Sequence, residues 1–138
     1  MTRLDERLGR YRQALTCALL LLWTVALVLT HIPPSEMPSP GISDRLLHVV
    51  GYWGLATVLA VTMLSYRFRR WRRWVLGLVI LAVYGAFDEL TQPIFGRNAS
   101  LCDWLADVAG LALGMLMVET LVWISSRRGS TRAIGRRR

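Results

Sequence analysis

Ionisable and polar side chains stand at helical spacings inside apolar stretches of this chain. Asp44, His48 and Tyr52 follow one another at intervals of four residues, and Asp103 and Asp107 are separated by the same interval. Residues four apart lie on one face of an α-helix. Carboxylates beside an imidazole are the groups that general acid–base chemistry uses. These two faces therefore predict a site for proton transfer or for binding a charged group.

A third set, Tyr84, Asp88 and Gln92, has the same spacing, and Glu89 lies next to it. Asp88 and Glu89 come near the end of an apolar helix, where negative charge opposes the helix dipole. Two adjacent acids at that position cannot both act as caps. We therefore predict that this pair is functional, with Glu89 and His48 as an acid/base pair.

Structural roles compete with these functional ones. Asp44 and Asp103 each stand at the start of a predicted helix, where an N-cap role is equally expected. Arg97 could serve only as an interfacial anchor, and His48 could be a hydrogen-bonded packing residue. Against the structural roles, an ionised carboxylate at the centre of a bilayer costs about 2.5–3.5 kcal/mol.

No cofactor or metal is predicted. The chain contains no phosphate-binding loop, zinc-type cysteine/histidine set or serine-nucleophile elbow. Asp103 and Asp107 could ligate a divalent cation together with His48, but their spacing matches no known metal-site pattern. Cys17 and Cys102 also lack metal-ligand spacing, and the predicted topology places them at opposite membrane faces, so no disulfide is expected.

The elements that must position these residues are membrane-spanning helices. The 138 residues are 54% hydrophobic, and a spanning helix needs roughly 17–25 mostly apolar residues. Four segments of that kind are predicted, at residues 14–30, 45–66, 74–92 and 103–124. The segment 31–44, with four of the five prolines, reads as a loop because proline interrupts helices.

The charge distribution predicts the orientation. All 17 basic residues are arginines, and fifteen of them lie in the N-terminal segment, the 67–73 loop and the tail. Arginine concentrates on the cytoplasmic side of membrane proteins, so both termini are predicted to be cytoplasmic. Most acids then fall on the opposite side, including Glu36, which predicts an outward-facing polar cluster.

The predicted fold is an all-α integral membrane protein with four transmembrane helices, located in the cytoplasmic membrane. Residues 1–13 form a basic cytoplasmic segment, residues 14–125 the four-helix domain, and residues 126–138 a basic, disordered cytoplasmic tail. The small residues Ala106, Gly110 and Gly114 form a stripe that favours close helix packing. A homodimer through this stripe is left open.

The basic charge does not predict nucleic-acid binding. The segment from 67 to 74 reads RFRRWRRW, which interleaves arginine with aromatic residues as some nucleic-acid binders do. Between two apolar spans, however, such a segment is typical of a topology determinant that contacts anionic lipids.

With those residues in place, the chain resembles the VanZ-like family of small membrane proteins. The resemblance rests on two segments, DRLLHVVGYWGLA (44–56) and FDELTQPIFGRNASLCDWLADVAGLALG (87–114). The positions that match the family pattern in order are Asp44, Arg45, His48, Tyr52, Glu89, Gln92, Gly96, Arg97, Asp103, Gly110 and Gly114. Asp107 departs from the pattern, which leads us to expect asparagine there.

The resemblance implies a protein of the bacterial cell envelope, and the founding member of the family is linked to resistance to glycopeptides, teicoplanin in particular. Combined with the polar residues, it predicts a site for an anionic lipid, such as a polyprenyl phosphate, or for the head group of a cell-wall precursor. Arg45 and Arg97 would bind phosphate, because guanidinium groups bind it bidentately. The predicted binding residues are Asp44, Arg45, Tyr52, Asp88, Gln92, Arg97, Asp103 and Asp107.

Whether chemistry follows binding is left open. If it does, the reaction class is hydrolysis or transfer at a phosphate ester, with Glu89 and His48 as acid and base. One alternative is a non-catalytic accessory protein that alters precursor display or antibiotic access. Another is a small proton-coupled transporter, which is disfavoured because Glu119 alone offers a poor pathway through the inner half of the membrane.

Overall fold

The computed structural model describes residues 8–33, 41 and 43–135, with side chains to Arg127. It contains four α-helices long and apolar enough to cross a membrane and, among the described residues, no strand. The helices are α1 (Arg12–Thr30), α2 (Asp44–Ser65), α3 (Arg70–Thr91) and α4 (Leu101–Gly135), and a short 3₁₀ helix, Gln92–Phe95, follows α3. The all-helical, four-span prediction is confirmed. The cytoplasmic orientation of the termini stays a prediction.

The helices differ from the predicted segments mainly in two basic stretches, residues 67–73 and the C-terminal tail. α3 begins at Arg70, so the predicted 67–73 loop is wrong for its last four residues, and the turn between α2 and α3 is short. α4 continues to Gly135. The prediction of a disordered tail is therefore wrong for residues 126–135. The segment 1–7 and Glu36 lie outside the described residues.

Helix α2 starts with a serine cap rather than an aspartate cap. The Ser43 hydroxyl accepts a hydrogen bond from the backbone N–H of Leu46, which satisfies one of the free donors of the first turn. The Ser100 hydroxyl does the same at α4, accepting from the N–H of Asp103. Asp44 and Asp103 are therefore not the caps, and their carboxylates are available for other contacts.

The closest packing in the bundle lies between α2 and α4. A Cβ atom at Gly110 would overlap the backbone carbonyl of Val49, and one at Gly114 would stand 2.6 Å from the Trp53 carbonyl oxygen. The small-residue stripe therefore serves the contact within the chain, as small residues do between membrane helices. Because Gly110 and Gly114 are buried there, the stripe is not free for a second copy. Formation of a homodimer stays a prediction.

Helix α3 packs on the same pair of helices, and α1 lies at the edge. Gly77 of α3 accommodates the Met115 side chain of α4, and the Trp104 indole N–H donates to the Ala82 carbonyl at 3.0 Å. The largest fully buried apolar side chains among the described residues of these helices are Leu55, Leu81, Leu111 and Met115. α1 contributes only Leu19 to the buried core, so the bundle is a three-helix core with a peripheral fourth helix.

The antiparallel arrangement gives the bundle two chemically different ends. At one, here called the site end, α1 and α3 finish and α2 and α4 begin, so residues 30–33, 43–52, 84–100 and 101–107 meet there. At the other, the far end, the turn between α2 and α3 lies beside the second half of α4. Most of the ionisable residues singled out by sequence are at the site end.

Candidate functional site

Three ionisable side chains from three helices meet at the centre of the site end. His48 of α2 places Nδ1 2.8 Å from Asp107 Oδ1 of α4 and 4.0 Å from Glu89 Oε1 of α3. All three residues are at most 5% exposed. We call His48, Glu89 and Asp107 the buried triad. Its direct hydrogen bond joins His48 to Asp107, while the predicted acid/base partners, His48 and Glu89, are close but not bonded.

Several oxygen atoms around the buried triad have no hydrogen-bond partner among the described residues. They are Glu89 Oε1, Asp107 Oδ2 and the hydroxyl of Tyr52, which lies one turn below His48 on α2. Glu89 is held by its other oxygen, which accepts the N–H of Ser100 at 2.7 Å. A buried polar atom without a partner costs about 1–3 kcal/mol. Such atoms are expected where a ligand, an ion or water completes the site.

Gly85 keeps this space open. A Cβ atom at position 85 would stand 3.1 Å from both Asp107 Oδ2 and the Tyr52 hydroxyl. The two unpartnered oxygens therefore face the same stretch of α3 backbone. Glycine at position 85 leaves room for a small group beside these two oxygens, and an alanine methyl group would reduce that room.

One turn above the buried triad lie two ion pairs, Arg97–Asp44 and Arg45–Asp103, which we call the mouth. Arg97 approaches both carboxylate oxygens of Asp44, at 2.9 and 2.8 Å, and also donates to the Ile32 carbonyl at 3.4 Å. Arg45 reaches Asp103 at a longer 3.8 Å. The Arg97 side chain is 8% exposed and that of Arg45 is 69% exposed. Arg45 is thus the more accessible cation of the mouth.

Asp88 and Gln92 belong to a different cluster, which faces α1. Asp88 is fully buried, and its Oδ1 accepts the hydroxyl of Thr30 at 2.8 Å. The Gln92 amide donates to Asp88 Oδ2 at 3.3 Å, and His31 Nδ1 lies 3.6 Å from Oδ1. We call Thr30, His31, Asp88 and Gln92 the α1-docking cluster. Sequence reasoning missed Thr30 and His31, although His31 directly follows the first apolar run.

A buried ion-pair group lies at the far end. Arg73 Nε donates to Glu119 Oε1 at 2.8 Å, and Nη2 lies 2.6 Å from the same oxygen. Arg70 approaches the other oxygen at 3.3 Å, and Arg73 also donates to the Phe68 carbonyl at 2.7 Å. The prediction that places Arg73 in the 67–73 loop and leaves Glu119 without a partner is therefore wrong. The signal that could have paired them is the apolar pattern of α3, which extends back to Trp71 and Trp74.

The ten predicted site residues thus fall into three places. His48, Glu89, Asp107 and Tyr52 form the centre, Asp44, Arg45, Arg97 and Asp103 form the mouth above it, and Asp88 and Gln92 face α1. Cys17 and Cys102 are free and exposed, and neither belongs to these groups.

The fold and the buried polar centre define a multi-pass helical membrane protein with an ionisable site between its spans, a class in which such residues mark functional sites. Within that class, residues 5–123 match the model of the VanZ/LLP1 family. Because the match spans most of the 138 residues, the chain belongs to this family. The comparisons give no significant match to a curated protein or to a solved structure.

Proposed function

We propose that this VanZ/LLP1-family protein binds the anionic head group of a lipid or of a lipid-linked cell-wall precursor at the outer face of the cytoplasmic membrane. The observation that carries the proposal is the mouth: an accessible arginine above a buried set of ionisable groups, at one end of four membrane-spanning helices. A phosphate at that level can contact Arg45 while its lipid chain stays in the bilayer. A polyprenyl phosphate fits this description.

The contacts of the two mouth arginines suggest different roles for them. Arg45 is 69% exposed and 3.8 Å from Asp103, a separation that leaves its guanidinium free to take a phosphate bidentately. Arg97 is already engaged by Asp44 and by the Ile32 carbonyl. The proposal therefore assigns the phosphate contact to Arg45. A contact between Arg97 and phosphate stays a prediction that requires Asp44 to be displaced.

Turnover is a further step of the proposal. In the absence of other ligands, Asp107 orients the His48 imidazole by accepting from, or ion-pairing with, Nδ1 at 2.8 Å. A second acid, Glu89, stands 4.0 Å from the same nitrogen. These groups could move a proton during hydrolysis or transfer at a phosphate ester. Substituting Glu89→Gln separates an enzyme, which would lose turnover and keep its lipid, from an accessory binding protein.

The link to teicoplanin resistance is proposed from family membership alone. A protein that binds a lipid-linked precursor would change how that precursor is displayed to a glycopeptide. Deleting the gene, or overexpressing it, should then shift the minimal inhibitory concentration of teicoplanin. An unchanged concentration in both strains would remove resistance from the proposal and leave lipid binding untouched.

The experiment that tests lipid binding is mass spectrometry of the protein purified in a mild detergent. The wild type should carry one phosphate-bearing lipid per chain, and Arg45→Gln should lose most of it. Arg72→Gln is the matched control, because Arg72 is an exposed arginine at the far end of the bundle. Equal lipid occupancy in Arg45→Gln and Arg72→Gln would show that the mouth does not hold the head group.

A further inference from the structure

The buried triad has the composition of a metal site that the spacing along the chain does not reveal. One nitrogen of His48 and one carboxylate oxygen each of Glu89 and Asp107 all lie within 4.8 Å of one another. Among the described residues no other group of three such side chains meets this condition. The sequence suggests Asp103 with Asp107 and His48, whereas in the structure the third ligand is Glu89 of α3.

The unpartnered atoms point to the same place. Glu89 Oε1 and Asp107 Oδ2 have no hydrogen-bond partner among the described residues, and these side chains are 7% and 1% exposed. The Tyr52 hydroxyl is also unpartnered, in a residue only 3% exposed, and like Asp107 Oδ2 it would lie 3.1 Å from a Cβ atom at Gly85. Three buried oxygens thus lack partners around one imidazole. A cation would satisfy the two carboxylates together.

Local charge favours the same conclusion. The two carboxylates of the buried triad lie away from water, where unpaired charge is costly. The two arginines of the mouth have other carboxylates as partners, because Arg97 pairs with Asp44 and Arg45 lies beside Asp103. His48 can supply one positive charge when it is protonated. A divalent cation supplies two and matches the two carboxylates.

We propose that His48, Glu89 and Asp107 bind one divalent first-row transition-metal ion, with Zn²⁺ as the best fit. An imidazole nitrogen with two carboxylate oxygens suits Zn²⁺ and its neighbours, whereas Mg²⁺ and Ca²⁺ prefer oxygen ligands alone. Three protein ligands leave a fourth position open for water or a ligand oxygen. We assign the Tyr52 hydroxyl a hydrogen bond to the group in that position.

The distances require only small adjustments. Two ligand atoms that each lie about 2.0–2.2 Å from Zn²⁺ stand about 3–3.5 Å apart in a tetrahedral site. His48 Nδ1 and Asp107 Oδ1 are slightly closer than this, at 2.8 Å, and Glu89 Oε1 is slightly farther from the nitrogen, at 4.0 Å. The ion would displace the proton between His48 Nδ1 and Asp107, which moves to Nε2 of a neutral imidazole and is released only when the His48–Asp107 pair carries an extra proton. His48 Nδ1 cannot be a metal ligand and a free base at once.

This inference does not rest on the proposed lipid. A bound ion below Arg45 would add positive charge under the mouth and strengthen its attraction for a phosphate. Metal binding can nevertheless be measured on purified protein with no lipid added. Failure of the metal site and failure of the head-group site are therefore separate results.

The test uses the full chain with any affinity tag removed and metals stripped by a chelator. Zn²⁺ is then titrated by calorimetry, and bound metal is counted by elemental mass spectrometry after desalting. The wild type should take up one ion per chain. Glu89→Gln and Asp107→Asn should each weaken binding by on the order of 100-fold or more, since loss of even an outer-shell partner costs 10–100-fold.

Asp88→Asn is the matched control, because it neutralises the neighbouring acid, which faces the α1-docking cluster instead. It should bind Zn²⁺ within about threefold of the wild type, as a change outside the ligand shell of this site. Co²⁺ substituted into the wild type should give visible absorption bands of a low-symmetry nitrogen/oxygen site. This readout needs no variant to fold.

Two results would overturn the proposal. One is a wild type that binds no stoichiometric Zn²⁺ and gives a Co²⁺ spectrum no different from the free ion. The other is Glu89→Gln and Asp107→Asn, each eluting as a folded species in size-exclusion chromatography, that bind Zn²⁺ as tightly as Asp88→Asn does.

Discussion

Asp88 and Glu89 are adjacent in the chain, yet their carboxylates enter different clusters. Asp88 Oδ1 accepts the hydroxyl of Thr30 from α1, whereas Glu89 Oε1 approaches His48 from α2. Successive residues of an α-helix point about 100° apart, so one turn of α3 can serve two neighbours. The first acid attaches the peripheral helix, and the second belongs to the buried triad.

Breaking the contact of Asp88 should loosen α1. Thr30→Val removes the hydroxyl that Asp88 accepts, which leaves a fully buried carboxylate without its closest donor and should cost about 1–3 kcal/mol. Thr24→Val is the control, because the Thr24 hydroxyl bonds only the Leu20 carbonyl of its own helix and should cost less than about 0.5 kcal/mol. Thermal unfolding in detergent measures both. Equal losses would mean that the hydrogen bond does not hold α1 in place.

The α2–α4 contact should not tolerate a methyl group. Gly110→Ala would push a Cβ atom into the Val49 carbonyl, and overpacking of this kind costs about 1–3 kcal/mol. Gly51 also lies on α2, and a Cβ atom there meets nothing within 4 Å. Gly51→Ala should raise stability by up to about 1 kcal/mol through its higher helix propensity. The two alanine variants should therefore shift the melting temperature in opposite directions. A fall in both would contradict this account of the interface.

At the far end, Arg73 and Arg70 should contribute unequally although both reach Glu119. Arg73→Met leaves a buried carboxylate with only the exposed Arg70, and breaking a buried pair from one side costs about 3–5 kcal/mol. Arg70, with a side chain 71% exposed, should cost less than about 1 kcal/mol when changed to methionine. Chemical unfolding of both variants tests the ranking. Restoration of much of the loss in Arg73→Met by adding Glu119→Leu would confirm that the unpaired charge is the cause.

The four helices, and the polar residues that share one face of each helix, could be predicted from the sequence. Apolar runs of spanning length and polar residues four apart depend only on helix geometry and on membrane thickness, so both could be read directly. The boundary at Arg70 was missed because arginine-rich segments are expected to lie outside the membrane. Arg73 instead enters the bundle to meet Glu119, which depends on a tertiary contact.

Partner choice within the site could not be read from sequence. The i, i+4 rule places His48, Asp88 and Asp107 near one end of the bundle, but the rotation of each helix about its axis decides which of them meet. That rotation follows from packing, such as the seating of Gly110 on Val49. The same limit explains why the third member of the buried triad is Glu89 rather than Asp103.

The Arg97–Asp44 pair should fix the loop that follows α3. Gly96 adopts a left-handed conformation, φ 73°, and Arg97 then reaches back to α2, which holds the chain before Ser100. Arg97→Gln should increase hydrogen exchange across residues 96–100, including the Ser100 amide that Glu89 accepts. Global stability should fall by only about 1 kcal/mol, because Asp44 is half exposed.

Arg45→Gln is the control for this loop experiment. Arg45 is exposed and its distance to Asp103 is 3.8 Å, so its loss should leave exchange at residues 96–100 unchanged. An equal rise in exchange in Arg45→Gln and Arg97→Gln would show that the mouth as a whole, and not one ion pair, orders the loop.

Removing the Tyr52 hydroxyl should have effects of different sign with and without metal. In the metal-free protein this buried hydroxyl has no partner among the described residues, so Tyr52→Phe should leave stability unchanged or raise it by up to about 1 kcal/mol. With Zn²⁺ in excess, the wild type should gain more stability than Tyr52→Phe, because at a given concentration a tighter ligand stabilises the folded state more. Tyr66→Phe, which loses an exposed hydroxyl near Thr16, should gain as much as the wild type. Thermal unfolding of the three proteins with and without Zn²⁺ makes the comparison, and a destabilised metal-free Tyr52→Phe would mean that the hydroxyl already has a protein partner.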